Sequence, residues 1–225
     1  MIRKTDYNVP QKLIDQAKDE ISFDGFRCAI NQPTGDFFYD PWVIRNEFKG
    51  TVWDEILKTL PHTVGEARII VLKQNDCYSS HCDIDDRWHL NIASKAAYLV
   101  NLDTEEMFKL ETDGMWYDMN AGFRHTAVNF GNRPRVQLVV RKLLLRSDRR
   151  DLVNITINSS LDNLDDARYE FDNTISSFLN KINKDNAINN FVYNEKKVTM
   201  DIAQEYLKEL IELANGSFGV TINDR

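Results

Sequence analysis

His81 and Asp83 stand on either side of Cys82, and His125 and Arg135 follow downstream. Imidazole nitrogens and a carboxylate oxygen are donors for a divalent transition metal. Two imidazoles and one carboxylate can occupy one face of a ferrous ion and leave the other positions open. In an extended strand, residues i and i+2 project to the same side, so His81 and Asp83 can converge on one ion while Cys82 faces away. Asp85 and Asp86 lie close by and compete for the carboxylate role, but alternation favours Asp83. Arg135 carries a planar fork of donors that fits a carboxylate bidentately. A His-x-Asp pair alone is common, and a lone strand histidine is more often a satisfied polar residue than a ligand. The weight lies in the combination.

The elements that must position these residues are mostly strands. ARIIVLK (67–73), RWHLNIA (87–93), AYLVNL (97–102), MFKLE (107–111), GMWYDMN (114–120), FRHTAVNF (123–130) and RVQLVVRKLL (135–144) follow at short intervals, punctuated by Gly, Asp and Asn. Strands at this spacing indicate an antiparallel sandwich or barrel. Gly131-Asn132 predicts that the last two strands form a hairpin, with Asn129 fixing it. Arg124 should point away from His125 on a regular strand.

Ahead of the strands, Leu13, Ile14 and Ala17 share a helical face between Pro10 and Ile21. Residues 22–50, with Gly25, Pro33, Gly35, Pro41 and Gly50, read as loops and short strands. A helix capped by Thr51 is expected to bury Val52, Trp53, Ile56, Leu57 and Leu60, and to end at Pro61. After residue 150 the pattern changes. LVNITIN (152–158) reads as a strand, and Leu164, Phe171, Ile175, Phe178 and Ile182 recur at helical spacing. A further helix is expected from about Thr199 to Asn215, with Gly216 at its end and the Asn/Lys-rich residues 180–197 as its connection. The expected organisation is a domain over 1–150 and a helical extension over 151–225. That extension packs on the sandwich or at a dimer interface, so a homodimer is an allowed assembly.

The composition, 42% hydrophobic and 28% charged, is that of a soluble globular protein. No apolar run approaches the roughly 18 residues of a membrane span, and the start of the chain has no secretory h-region. Three cysteines, Cys28, Cys77 and Cys82, suggest reduced thiols in a cytoplasm rather than a disulfide framework. A net charge of −7 argues against nucleic acid as the main partner.

The stretches His81-x-Asp83, Arg87-Trp-His-Leu90, Gly114-Met-Trp116, His125-Thr-Ala-Val-Asn-Phe130 and Arg135-Val-Gln-Leu-Val139 together resemble the bacterial free L-proline hydroxylases. They are also similar to the wider aspartyl/asparaginyl β-hydroxylase group of Fe(II)/2-oxoglutarate oxygenases. The resemblance covers about residues 67–145, and Asp83 places the chain on the proline-hydroxylase side. It implies a double-stranded β-helix core (jelly-roll, cupin-like), mainly β with flanking helices. It further implies Fe(II), 2-oxoglutarate and O2 as cofactor and co-substrates, with His81, Asp83 and His125 as metal ligands and Arg135 on the distal carboxylate of 2-oxoglutarate. His89 and Tyr78 would line the co-substrate pocket. Arg87 and Trp116 would face an amino acid or a peptide or protein substrate. The plainer roles are an Asp85 or Asp86 ion pair for Arg87, a core position for Trp116, a core role for His89 and a loop position for Tyr78. Two other readings stay open: a cupin-type metalloprotein such as an isomerase or a quercetinase-like dioxygenase, and a non-catalytic β-sandwich binding module.

Overall fold

The computed structural model describes residues 2–21, 27–194 and 196–223; Gly25 lies outside them. The chain divides into two compact units. One comprises Met1–Ser80, Asp85–Asn120 and His125–Leu143, the other His81–Ile84, Ala121–Arg124 and Leu144–Arg225.

The first unit opens with β1 (Ile2–Asn8), α1 (Gln11–Glu20), β2 (Arg27–Ala29), β3 (Asn31–Pro33), β4 (Trp42–Ile44) and α2 (Val52–Leu57). Then come β5 (Ala67–Leu72), β6 (Asp76–Cys77), β7 (Arg87–Ala93), β8 (Ala97–Asn101), β9 (Glu106–Lys109), β10 (Met115–Met119), β11 (His125–Asn129) and β12 (Arg135–Arg141). A six-stranded sheet has the order β1-β10-β7-β12-β5-β2, and a four-stranded sheet the order β6-β11-β8-β9. From β5 to β12 the chain switches between the two antiparallel sheets at every step except the β8–β9 hairpin, which stays in the four-stranded sheet; that is the strand order of a double-stranded β-helix.

That order corrects the expected hairpin. β11 pairs with β6 and β8, whereas β12 pairs with β5 and β7. The Gly131-Asn132 link carries the chain from one sheet to the other. Asn129 fixes this crossing: its Nδ2 donates to the carbonyls of Leu72, Lys73 and Arg133, and its Oδ1 accepts from the Gly131 N–H.

The six-stranded sheet has two unlike faces. On one, Ala67, Val71, Trp88, Leu90, Ile92, Val136, Leu138 and Val140 form an apolar core with Ile14 and Ala17 of α1 and with Val52, Trp53 and Ile56 of α2. Thr51 precedes α2, but its side chain donates to the Phe48 carbonyl instead of capping the helix. The opposite face follows from period-two alternation and cross-strand register. It carries Arg68 and Ile70, then Arg135, Gln137 and Val139, then Arg87, His89 and Asn91, and Tyr117. Every residue of β7 from Arg87 to Ile92 is buried, so this polar face is enclosed rather than solvated. β1 forms one edge of the sheet, where Arg3 pairs with Asp118 at 2.9 Å and Lys4 with Asp113 at 2.5 Å.

The second unit contains β13 (Leu152–Ser159), α3 (Leu164–Lys184), β14 (Ile188–Asn194), β15 (Lys197–Ala203), α4 (Leu207–Ala214) and β16 (Phe218–Ile222). Its strands form an antiparallel sheet of order β14-β15-β13-β16. α3 is capped by Asn163, whose Oδ1 accepts from the Asp165 N–H at 2.8 Å. The helix expected from Thr199 to Asn215 is confined to its second half. Val198, Met200 and Ile202 are buried at alternate positions and pair with β13 as strand β15. Residues 180–197 are likewise no mere connection, since they hold the end of α3 and all of β14. Among the described residues no helix is long and apolar enough to cross a membrane.

Candidate metal centre

One donor atom from each of His81, Asp83 and His125 lies within 4.8 Å of the others. His81 Nε2 and Asp83 Oδ2 are 3.9 Å apart. His125 is buried at the start of β11, where His125, Ala127 and Asn129 alternate inward. Exposed Arg124 precedes the strand. His81 and Asp83 do not lie on a regular strand as expected. They sit in a loop held by two backbone bonds, from Cys82 N–H to the Asp172 carbonyl and from Asp83 N–H to the Ala121 carbonyl, each 2.8 Å. The loop sets Asp83 near Asp172 of α3. Burial first, and then the charge of Asp83, push the Asp172 carboxyl up to about 6. A cation at this loop would relieve that repulsion. Two imidazoles and a carboxylate suit a divalent first-row metal, and three donors leave room for further ligands.

Arg135 is 1% exposed. Its Nη2 donates to Gln137 Oε1 at 2.8 Å, and its Nη1 reaches the Tyr98 carbonyl at 3.5 Å. Among the described residues it has no carboxylate partner, and its Nε is buried without a hydrogen bond. Burial lowers its pKa to about 10, so it stays cationic at neutral pH. The Tyr78 ring lies 6.0 Å from the guanidinium carbon. Tyr78 is anchored by its N–H to the Ala127 carbonyl at 3.1 Å and by its own carbonyl, which accepts from Thr126 Oγ1 at 2.6 Å.

Gln137 links Arg135 to His89. Arginine only donates, so the amide oxygen of Gln137 must face it. That oxygen is also 3.3 Å from Nδ1 of His89. A neutral His89 therefore carries its proton on Nδ1 and presents a bare Nε2, which is buried and has no partner among the described residues. Burial first, and then Arg135, His125 and Arg87, hold its pKa down to about 3. Sequence reasoning missed Gln137. Its signal was a lone amide at an inward position of the otherwise apolar run VQLVV (136–140).

Arg87 is buried and pairs with Asp85 at 2.8 Å. Trp116 lies in the apolar core on the other side of the sheet, where its Nε1 donates to Thr59 Oγ1 at 2.9 Å. The structure thus gathers His89, Arg87, Gln137 and Arg135 on one enclosed face and leaves Trp116 on the opposite one. Cys28 and Cys77 are exposed thiols, and Cys82 is buried.

No protein-family model matches the chain. No curated protein matches it either. Among solved structures it is similar to a cupin domain from Bordetella pertussis Tohama I. That match has 12% identity and a TM-score of 0.32, and covers 50% of this chain and 91% of that one. It is also similar to CapF with the inhibitor 3-isopropenyl-tropolone, at 13% identity and a TM-score of 0.31, covering 51% of this chain. The match spans 31% of CapF.

Proposed function

We propose that this protein is an Fe(II)- and 2-oxoglutarate-dependent hydroxylase acting on an amino acid, free or within a peptide. The observation that carries this reading is Arg135. A metal triad by itself suits many metalloproteins. A guanidinium sealed from water with no carboxylate against it needs an anion from outside, because an unpaired buried charge is strongly unfavourable. 2-Oxoglutarate is a dianion that would chelate a metal through its keto-acid end and offer its far carboxylate to Arg135.

His81, Asp83 and His125 would hold the metal. When bound, ferrous iron supplies the oxygen chemistry that converts 2-oxoglutarate and O2 to succinate and CO2 while a substrate C–H becomes C–OH. The chain's own residues bind and orient. Gln137 holds the Arg135 fork in one plane, and Tyr78 shields it. His89, kept neutral, adds no competing positive charge beside Arg135. The enclosed sheet face keeps water from the co-substrate. No side chain is asked to move a proton.

The test is succinate formation by iron-loaded protein in the presence of amino acids and short peptides, with Arg135→Ala as the control. The reading predicts substrate-dependent succinate that is lost in the variant. Equal turnover by Arg135→Ala would remove the anchoring role. A panel that includes isomerase substrates separates this reading from a co-substrate-independent cupin.

A further inference from the structure

The enclosed face of the six-stranded sheet carries a second group of guanidiniums that the co-substrate does not use. Glu66, just before β5, is the carboxylate for three of them. Arg27 Nη2 lies 3.3 Å from its Oε1, Arg68 Nη1 lies 3.3 Å from its Oε2, and Arg141 Nη1 lies 3.9 Å from the same oxygen. All three contacts are longer than a good charge-assisted bond. Arg141 has a second partner in Asp85, which is itself shared with Arg87. Arg68 has no ion pair but Glu66 among the described residues, and its Nε is buried without a hydrogen bond. Its side chain is 12% exposed, so it is nearly enclosed yet reachable.

The position of Arg68 ties it to the site. It is paired with Val139, which is paired with His89, so Arg68 and His89 stand on one cross-strand row. Arg135 is paired with Leu72, four residues along β5 from Arg68, a separation of roughly 13 Å along the strand. The phenol of Tyr78, whose pKa burial raises, feels Arg135 and Arg68 alike. Two anion-seeking guanidiniums thus flank one enclosed region. Desolvation, followed by the charges of Arg87, Arg27 and Arg141, brings the Arg68 pKa to about 9, the mark of a cation crowded by cations.

We propose that Arg68 heads a second anion subsite on this face, which receives a carboxylate carried by the substrate. This rests on the hydroxylase reading for what the neighbouring site does, but not for the subsite itself. The substrate class is then an amino acid with a free carboxylate: the α-carboxylate of a free amino acid, or the side-chain carboxylate of an acidic residue. Glu66 acts as the internal counter-charge with which the ligand competes.

Calorimetry on full-length protein loaded with Zn(II) and 2-oxoglutarate tests this without turnover. The probes are L-proline, L-aspartate and L-asparagine, the α-carboxamide of each, and N-acetyl-aspartate amide. At least one acid is expected to bind about tenfold or more tighter than its carboxamide. Binding of N-acetyl-aspartate amide would assign the side-chain carboxylate, and its failure beside a bound free acid would assign the α-carboxylate. Arg68→Met is expected to weaken the acid by about 10- to 100-fold while leaving 2-oxoglutarate affinity unchanged, and Arg68→Lys to restore part of it. Glu66→Gln is expected to tighten it. If Arg68→Met does not fold, the acid–amide contrast and Arg68→Lys still decide. Carboxamides binding as well as acids, no acid binding, or full affinity in Arg68→Met would each overturn the subsite. Arg68-dependent acid binding in a protein that ignores 2-oxoglutarate would keep the subsite and remove the hydroxylase reading.

Discussion

Arg135 donates to Gln137 across two residues of the same strand, at 2.8 Å, and that contact sets the polarity of its surroundings. The amide oxygen neutralises no charge, so the guanidinium is oriented without being satisfied. Gln137→Glu would supply the missing negative charge from within. The expected result is a rise of about 100-fold in the dissociation constant for 2-oxoglutarate, comparable to losing a buried charge pair. Calorimetry on the Zn(II)-loaded variant measures it. Undiminished affinity would show that the co-substrate does not meet Arg135.

His89 should leave a signature in acid. Its folded pKa, about 3, is below that of an exposed imidazole. Below pH 6.5 the unfolded chain takes up a proton that the folded chain refuses, so stability falls as pH drops from 6.5 towards 3. The contribution is on the order of a few kcal/mol at the acid end. His89→Gln should flatten that part of the stability curve relative to the parent. Urea midpoints at pH 4.5 and pH 7.5 provide the comparison, and an identical pH slope in both proteins would refute the assignment.

The proposed metal ligands predict a stoichiometry. Anaerobic Fe(II) titration should load the protein with about one ion per chain, and His81→Ala or His125→Ala should lose most of that binding, since two donors hold a divalent ion far less well than three. Asp83→Ala should weaken it as well. Metal content after gel filtration reads this directly. Full retention in all three variants would mean that the triad is not the metal site.

Trp116 separates folding from function. Trp116→Phe keeps one aromatic ring but removes the hydrogen bond to Thr59 and part of the buried indole, at a stability loss of about 2 kcal/mol. Because the side chain faces the apolar core, 2-oxoglutarate affinity should be unchanged. A large affinity change with little loss of stability would place it in the pocket after all.

Much of the β-helix was legible because its strands are bounded by turn residues and rich in Val, Ile and Leu. What escaped were strands that bury little. β6 is only Asp76 and Cys77, both exposed, and β1 shows solvent four of its seven residues. The Thr199–Asn215 reading failed because Ile202, Ala203, Tyr206, Leu207 and Leu210 fall at helical spacing across a strand–helix junction. Within the site, residue types pointed to the cluster of His81, Asp83 and His125 that the fold brings together, even though the strand argument for His81 and Asp83 did not hold. Glu66 and Arg68 carried no motif, and Gln137 stood inside the stretch 135–139 without being given a role. Only strand pairing reveals that they share a face with His89.

The charged border formed by β1 also has a bearing on solubility. By pairing with β10 and setting Arg3 and Lys4 on Asp118 and Asp113, it turns an otherwise open hydrogen-bonding margin into one that a foreign strand gains little by joining. A version of the protein starting at Val9 would expose the bare amides and carbonyls of β10. Light scattering should then find it clumping at concentrations where the parent stays dispersed.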